Sequence, residues 1–170
     1  AIVVDSKEQL VGLSDSAIRA AAKDAADNGH EGKYQLNITN TTRQPVLAQL
    51  ENRELRQQVW QASANRGLSG ENETASLVAR LAQLRAERAK LLGFDSWADY
   101  RLAPQMAKTP EAVYKMFGSM VPAVVANTNK EAADIQAMIT KTGGDFELAP
   151  WDWAFYAELV RKDKYDLDAA

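Results

Sequence analysis

A mainly α fold is predicted for this 170-residue chain, with one short strand or small hairpin near its start. Three observations predict it. Apolar residues recur at three- and four-residue spacing over most of the length, the period of a helix with one buried face. Capping residues and glycines punctuate those runs at their ends. A single segment, Tyr34-Gln35-Leu36-Asn37-Ile38, alternates apolar and polar as a half-buried strand does.

Taken in order, Ile2-Val3-Val4 reads as an extended piece or the tail of a helix begun upstream. Ser14 supplies an N-cap hydroxyl and Asp15 an acid at the positive end of the helix dipole. The alanine-rich run Ala17 to Ala26 has high helix propensity and ends at Asn28-Gly29. After the strand, helix resumes near Pro45, a residue suited to a first turn. Asn52 caps a further piece carrying Leu55, Val59, Trp60 and Ser63 toward Gly67.

The clearest helix spans about Glu73 to Leu92, with Leu77, Leu81, Leu84 and Leu91 on one stripe, Val78 and Leu92 broadening it, and Gly93 as its stop. Asp95 or Ser96 caps a short helix with Trp97, Tyr100 and Leu102. Thr109-Pro110-Glu111 is a compact helix start, and Val113, Phe117, Met120, Val121, Val124 and Val125 repeat helically after it. Ile135, Met138 and Ile139 continue that stripe to Gly143-Gly144, with a kink or break expected at Pro122. A last segment begins after Pro150 with Trp151, Trp153, Phe155 and Tyr156, and a further helix is expected to start at Asp166-Leu167-Asp168-Ala169-Ala170. No internal repeat, low-complexity tract or linker divides the chain, so residues 1–170 are read as one helical segment.

Composition excludes several classes. With 46% apolar and 25% charged residues the chain reads as globular. A net charge of −3, with Lys and Arg scattered among acids, argues against a nucleic-acid binder. No apolar run is long enough to span a membrane, and no leader sequence is read. The absence of cysteine fits a reducing compartment or a protein that needs no disulfides, and the former favours the cytoplasm. Both ends look arbitrary, as in a piece excised from a longer protein.

The strongest chemical constraint is one histidine and no cysteine. A protein-held zinc ion takes several His, Cys or carboxylate donors at workable spacing. His30-Glu31-Gly32-Lys33-Tyr34 resembles the metal-binding pattern His-Glu-x-x-His only in part. Its fifth position is Tyr34, and Gly29 and Gly32 disfavour the helix that gives the spacing meaning. Glu71, Glu73, Glu87 and Asp99 form no pair that spacing places across a cleft, so solvation or helix-end electrostatics accounts for them. Arg80, Arg85, Arg88 and Lys90 make a basic strip around one helix, where ion pairing is the default and anion binding the minority reading. The dense aromatics of Trp151-Asp152-Trp153-Ala154-Phe155-Tyr156 are expected to pack in a core or interface, with a peptide-facing cleft wall as the lesser alternative. No residue is assigned a catalytic, cofactor-binding or metal-binding role.

Several blocks in this order carry a family resemblance: Gly12-Leu13-Ser14, Tyr34 to Ile38, Asn52-Arg53-Glu54-Leu55-Arg56, the run from Leu84 to Phe94, Trp97-Ala98-Asp99-Tyr100, Met106 to Pro110, and Pro150 to Tyr156. Together they resemble the thimet oligopeptidase and oligopeptidase A family of zinc metallopeptidases, most closely its bacterial dipeptidyl carboxypeptidase branch. The resemblance implies a middle segment of a longer enzyme, upstream of a His-Glu-x-x-His motif that has no matching position here. It implies zinc in the full-length enzyme and none bound by this chain. Short peptides are its implied substrates, with dipeptides released from free C-termini inside a channel between two helical halves. The remaining helices of the parent are the implied partners, a large exposed apolar patch is expected on the excised piece, and a cytoplasmic location is implied. The competing reading is a free-standing helical module that recognises peptides or partner helices through its leucine and aromatic stripes.

Overall fold

A computed structural model describes residues 1–166. Residues 167–170, within which the further C-terminal helix was expected, lie outside the described residues. Among the described residues are seven α-helices and two short strands, so the mainly α expectation holds. The chain forms two compact units, one of residues 1–65 with 131–166 and one of residues 66–130.

In the first unit, β1 (Ile2–Val4) is extended rather than the tail of a helix, and it pairs antiparallel with β2 (Tyr34–Leu36), Ile2 opposite Leu36 and Val4 opposite Tyr34. The strands are joined through a 3-10 turn (Lys7–Leu10) and α1 (Asp15–Asp27) rather than by a tight turn. Ser14 caps α1, its Oγ accepting from the Ala17 amide at 3.2 Å. Gly12, just before this cap, has φ +97°, and a Cβ there would lie 2.0 Å from the Gln49 carbonyl oxygen. Only glycine lets the loop approach that closely, and the approach is used: the Glu51 amide donates to the Val11 carbonyl at 2.9 Å.

The next helix begins earlier than Pro45. α2 (Asn40–Gln49) starts after Thr39, whose amide donates to Thr42 Oγ1 at 3.3 Å while its hydroxyl lies 2.7 Å from the same oxygen. Hydroxyl capping at Thr39 outcompetes the proline signal, and Pro45 lies inside the helix, where it simply donates no bond. Asn52 caps α3 (Arg53–Ala64) as expected, its Oδ1 accepting from the Leu55 amide at 3.0 Å. Val4, Leu10, Leu36, Leu50, Leu55 and Val59 are among the buried residues of the resulting core. A second core, of Ile135, Met138, Ile139 and Tyr156, joins the end of α6 (Pro110–Lys141) to α7 (Trp153–Tyr165). α6 closes with the Gly144 amide donating to the Ile139 carbonyl at 2.9 Å.

The second unit holds α4 (Ala75–Leu91), α5 (Trp97–Leu102) and α6 as far as residue 130. Gly93, with φ +80°, stops α4, and the Phe94 amide reaches back to the Ala89 carbonyl at 3.0 Å. Ser96, rather than Asp95, caps α5. α6 passes Pro122 without a break.

Candidate functional site

Among the described residues Asp152 is a charged group with no solvent exposure, at the start of α7. Arg53 and Arg56, one turn apart on α3, converge on it. Oδ1 accepts from Arg53 Nε at 3.0 Å and from an Arg56 terminal nitrogen at 3.1 Å. Oδ2 accepts from an Arg53 terminal nitrogen at 2.8 Å and from the Ala149 amide at 3.2 Å. Arg56, itself 1% exposed, turns its other terminal nitrogen to the Leu50 and Glu51 carbonyls at 2.8 and 3.0 Å. There it satisfies carbonyls just past the end of α2, where a cation also suits the negative pole of the dipole. Aromatic faces complete the cage: Phe146 lies 3.9 Å from the Arg53 guanidinium carbon and Phe155 4.3 Å from that of Arg56. Trp60 and Trp151 pack edge to face at 5.9 Å.

This arrangement ties α2, α3 and α7 together and offers no chemistry. Both carboxylate oxygens of Asp152 are engaged by donors and sealed from solvent, so it cannot take a proton from a substrate. The aromatic block from Trp151 to Tyr156 therefore packs, as its composition suggests. Sequence reading quoted Arg53, Arg56 and Asp152 but did not join them, because the partners are 96 to 99 residues apart.

The other candidate residues disperse. His30 lies exposed in a turn, its amide donating to the Ala25 carbonyl at 2.8 Å. Glu71 is exposed in a 3-10 turn (Gly70–Asn72), and the Glu73 carboxylate accepts from the Ala75 amide at the start of α4. Glu87 pairs with Arg80 at 3.4 Å. Asp99 accepts the Ser96 hydroxyl at 2.6 Å while its amide donates to Ser96 Oγ at 3.1 Å. The acids thus serve helix ends and surface pairs. Arg85 and Arg88 stand over the Trp97 ring at 5.6 and 5.9 Å, and Arg88 also over Tyr100 at 5.5 Å. The basic strip is spent on aromatic faces and one ion pair. Lys90 is exposed.

Lys23, Lys164 and Glu8 titrate away from their ordinary values. Hydrogen bonds raise the ammonium pKa values, to Asp27 for Lys23 and to Asp134 for Lys164. Their stabilisation is present at neutral pH and lost as pH rises through the lysine range, and because all four groups are solvated it is small. Glu8 is held below its ordinary value by a bond from its own backbone amide and by Ser6.

The second unit presents a different feature. Its only buried residue is Ala89. The leucine stripe of α4 faces outward, Leu77 at 67% and Leu91 at 88% exposure, and so do Phe117, Met120, Val121 and Val124 of α6. Large apolar side chains exposed in such number on one helical unit are the pattern of an interface.

Residues 46–170 match peptidase family M3. The chain is 42% identical over 170 residues to a dipeptidyl carboxypeptidase of Escherichia coli, an alignment covering 99% of this chain and 25% of that protein. It is 39% identical to a dipeptidyl carboxypeptidase of Salmonella typhimurium, again over 99% of this chain and 25% of the relative. An oligopeptidase A of Haemophilus influenzae is 30% identical over 98% of this chain and 25% of its own length. The chain therefore spans about a quarter of the length of these relatives. The matched run from residue 46 onward, together with these relatives, leads to one assignment: this chain belongs to peptidase family M3.

Proposed function

We propose that these 170 residues are one scaffold segment of a zinc metallopeptidase that hydrolyses short peptides and releases dipeptides from their C-termini. The carrying observation is the match to a dipeptidyl carboxypeptidase, 42% identical across 99% of this chain and a quarter of that relative. The donor set supports placing the hydrolytic centre elsewhere in a longer polypeptide, and the family resemblance is the ground for placing it downstream of this segment. One histidine and no cysteine do not fit a zinc site. Among the described residues no three His, Cys, Asp or Glu side chains are grouped to hold a metal. No hydrolytic step is derived from these side chains.

The role of the segment is architectural. The Arg53–Arg56–Asp152 tie fixes three helices of the first unit, and the apolar faces of α4 and α6 pack on remaining helices of the parent. Short peptides are the proposed substrates of the whole enzyme and the cytoplasm its proposed location. No described helix is long and apolar enough to cross a membrane.

Two proteins test the proposal. The 170-residue chain with added zinc is expected to leave an N-blocked tetrapeptide intact, while the full-length product of the same reading frame releases its C-terminal dipeptide, read by mass spectrometry. Turnover by the 170-residue chain alone overturns it. A reading frame that stops at Ala170 does so too and favours the free-standing interaction module.

A further inference from the structure

The turn that ends α1 carries the one Asn-Gly pair of the sequence, Asn28-Gly29. An asparagine followed by glycine is chemically labile. Without a Cβ, glycine lets its backbone nitrogen swing onto the carbonyl carbon of the preceding side chain and expel its amide. Residues 26–33 are all exposed, and a Cβ built on Gly29 would meet nothing within 4 Å. The pair is therefore open to water and uncrowded.

In the closed turn both reacting groups are tied elsewhere. Asn28 Nδ2, the nitrogen that would leave, donates to the Asp24 carbonyl at 2.7 Å. The Gly29 amide, the nitrogen that would attack, donates to the Ala26 carbonyl at 3.1 Å, and the His30 amide closes the turn on the Ala25 carbonyl at 2.8 Å. These bonds belong to the last turn of a helix, where opening costs least. Charge supports this end poorly. The last turn of α1 holds no basic residue, and Asp24 and Asp27 place acids near the negative pole of the dipole. Asn37 Nδ2 bonds the Asp24 carboxylate and Lys23 pairs with Asp27, but the latter pair is exposed and contributes little.

We propose that Asn28 is a site of spontaneous deamidation, gated by opening of the last turn of α1, and that its product favours the open turn. Once the turn opens, the Gly29 nitrogen gives up its proton to solvent and bonds to Asn28 Cγ. The Cγ–Nδ2 bond breaks, and Nδ2 departs as ammonia with a proton returned from solvent, leaving a five-membered imide. Water then opens the imide at either carbonyl, giving aspartate or isoaspartate at position 28. One water is consumed and one ammonia released, with no change of oxidation state. Either product replaces the donor to the Asp24 carbonyl by a further acid at the negative pole. Isoaspartate also lengthens the backbone between the Ala25 carbonyl and the His30 amide that close the turn. The site lies within residues 24–33 and does not depend on the peptidase reading.

The 170-residue chain is incubated at neutral pH, folded and in urea, then digested for peptide mass mapping. A gain of one mass unit is expected at Asn28 ahead of every other asparagine, with part of the product labelled by an isoaspartate methyltransferase. The rate in urea is expected to exceed the folded rate at least tenfold. Gly29→Ala, compared in urea so that strain at its positive φ plays no part, is expected to react at least tenfold more slowly. Asn28→Asp is expected to speed amide hydrogen exchange at residues 28–30 at least threefold while exchange in the buried core stays unchanged. Another asparagine reacting first, equal rates folded and in urea, no slowing in Gly29→Ala, or unaltered exchange in Asn28→Asp overturns the proposal.

Discussion

Asp152 is satisfied by charge, not by water, and that makes it the residue on which the first unit is most vulnerable. Replacing it with asparagine keeps the shape but leaves Arg56, 1% exposed, without its counter-charge. Breaking one side of a buried ion pair costs about 3–5 kcal/mol. Asp152→Asn is therefore expected to lower the unfolding free energy by an amount of that order, read from urea titration followed by circular dichroism. A loss below about 1 kcal/mol, the level of an exposed pair, would mean that water reaches the cluster. Nothing in local spacing reveals this cluster. Arg53 and Arg56 stand in sequence only as part of a block that carries the family resemblance, and Asp152 only as a member of an aromatic run expected to pack. The one available hint is an acid flanked by Trp151 and Trp153, with few solvated neighbours to keep it company.

At the scale of elements, the ends were legible and the interruptions less so. Ser14, Asn52, Ser96 and Thr109 each accept an amide from three residues on, because capping depends only on a short side chain and the next turn. Pro45 misled because the hydroxyls of Thr39 and Thr42 begin the helix upstream of it, which places the proline in the interior, where it gives up the bond to the Thr41 carbonyl. Pro122 was expected to kink or break its helix, and no break occurs. The missing amide still leaves the Gly118 carbonyl without its helical donor, and Gly118 adds flexibility at the same turn. Pro122→Ala is expected to restore that bond and stabilise α6 by about 1–3 kcal/mol, measured as a rise in helical ellipticity and thermal midpoint. No rise would mean that neighbouring groups already compensate.

Over the whole molecule, the two units differ in how they hold themselves together. The first has buried cores and the Arg–Asp tie, whereas in the second only Ala89 is buried. The helical period of α4 was plain in its leucines, but period alone cannot say what covers a stripe. Only the tertiary arrangement leaves those leucines in solvent. The isolated chain is expected to bind an apolar dye and to self-associate in sedimentation. The double variant Leu81→Glu with Phe117→Glu should reduce both, since each position lies on an outward face. A clean monomer without dye binding would contradict the proposed role of these faces.

The separation between Arg56 and Asp152 also governs the order in which the polypeptide can settle during its own synthesis. Donor and acceptor are 96 positions apart in the chain. At a translation rate of roughly 5–20 residues per second, α3 emerges about 5–20 s before its carboxylate exists. For that interval the nascent amino-terminal part must leave two guanidiniums hydrated and its aromatic lid unbuilt. The first unit can therefore mature only after the second has already left the ribosome.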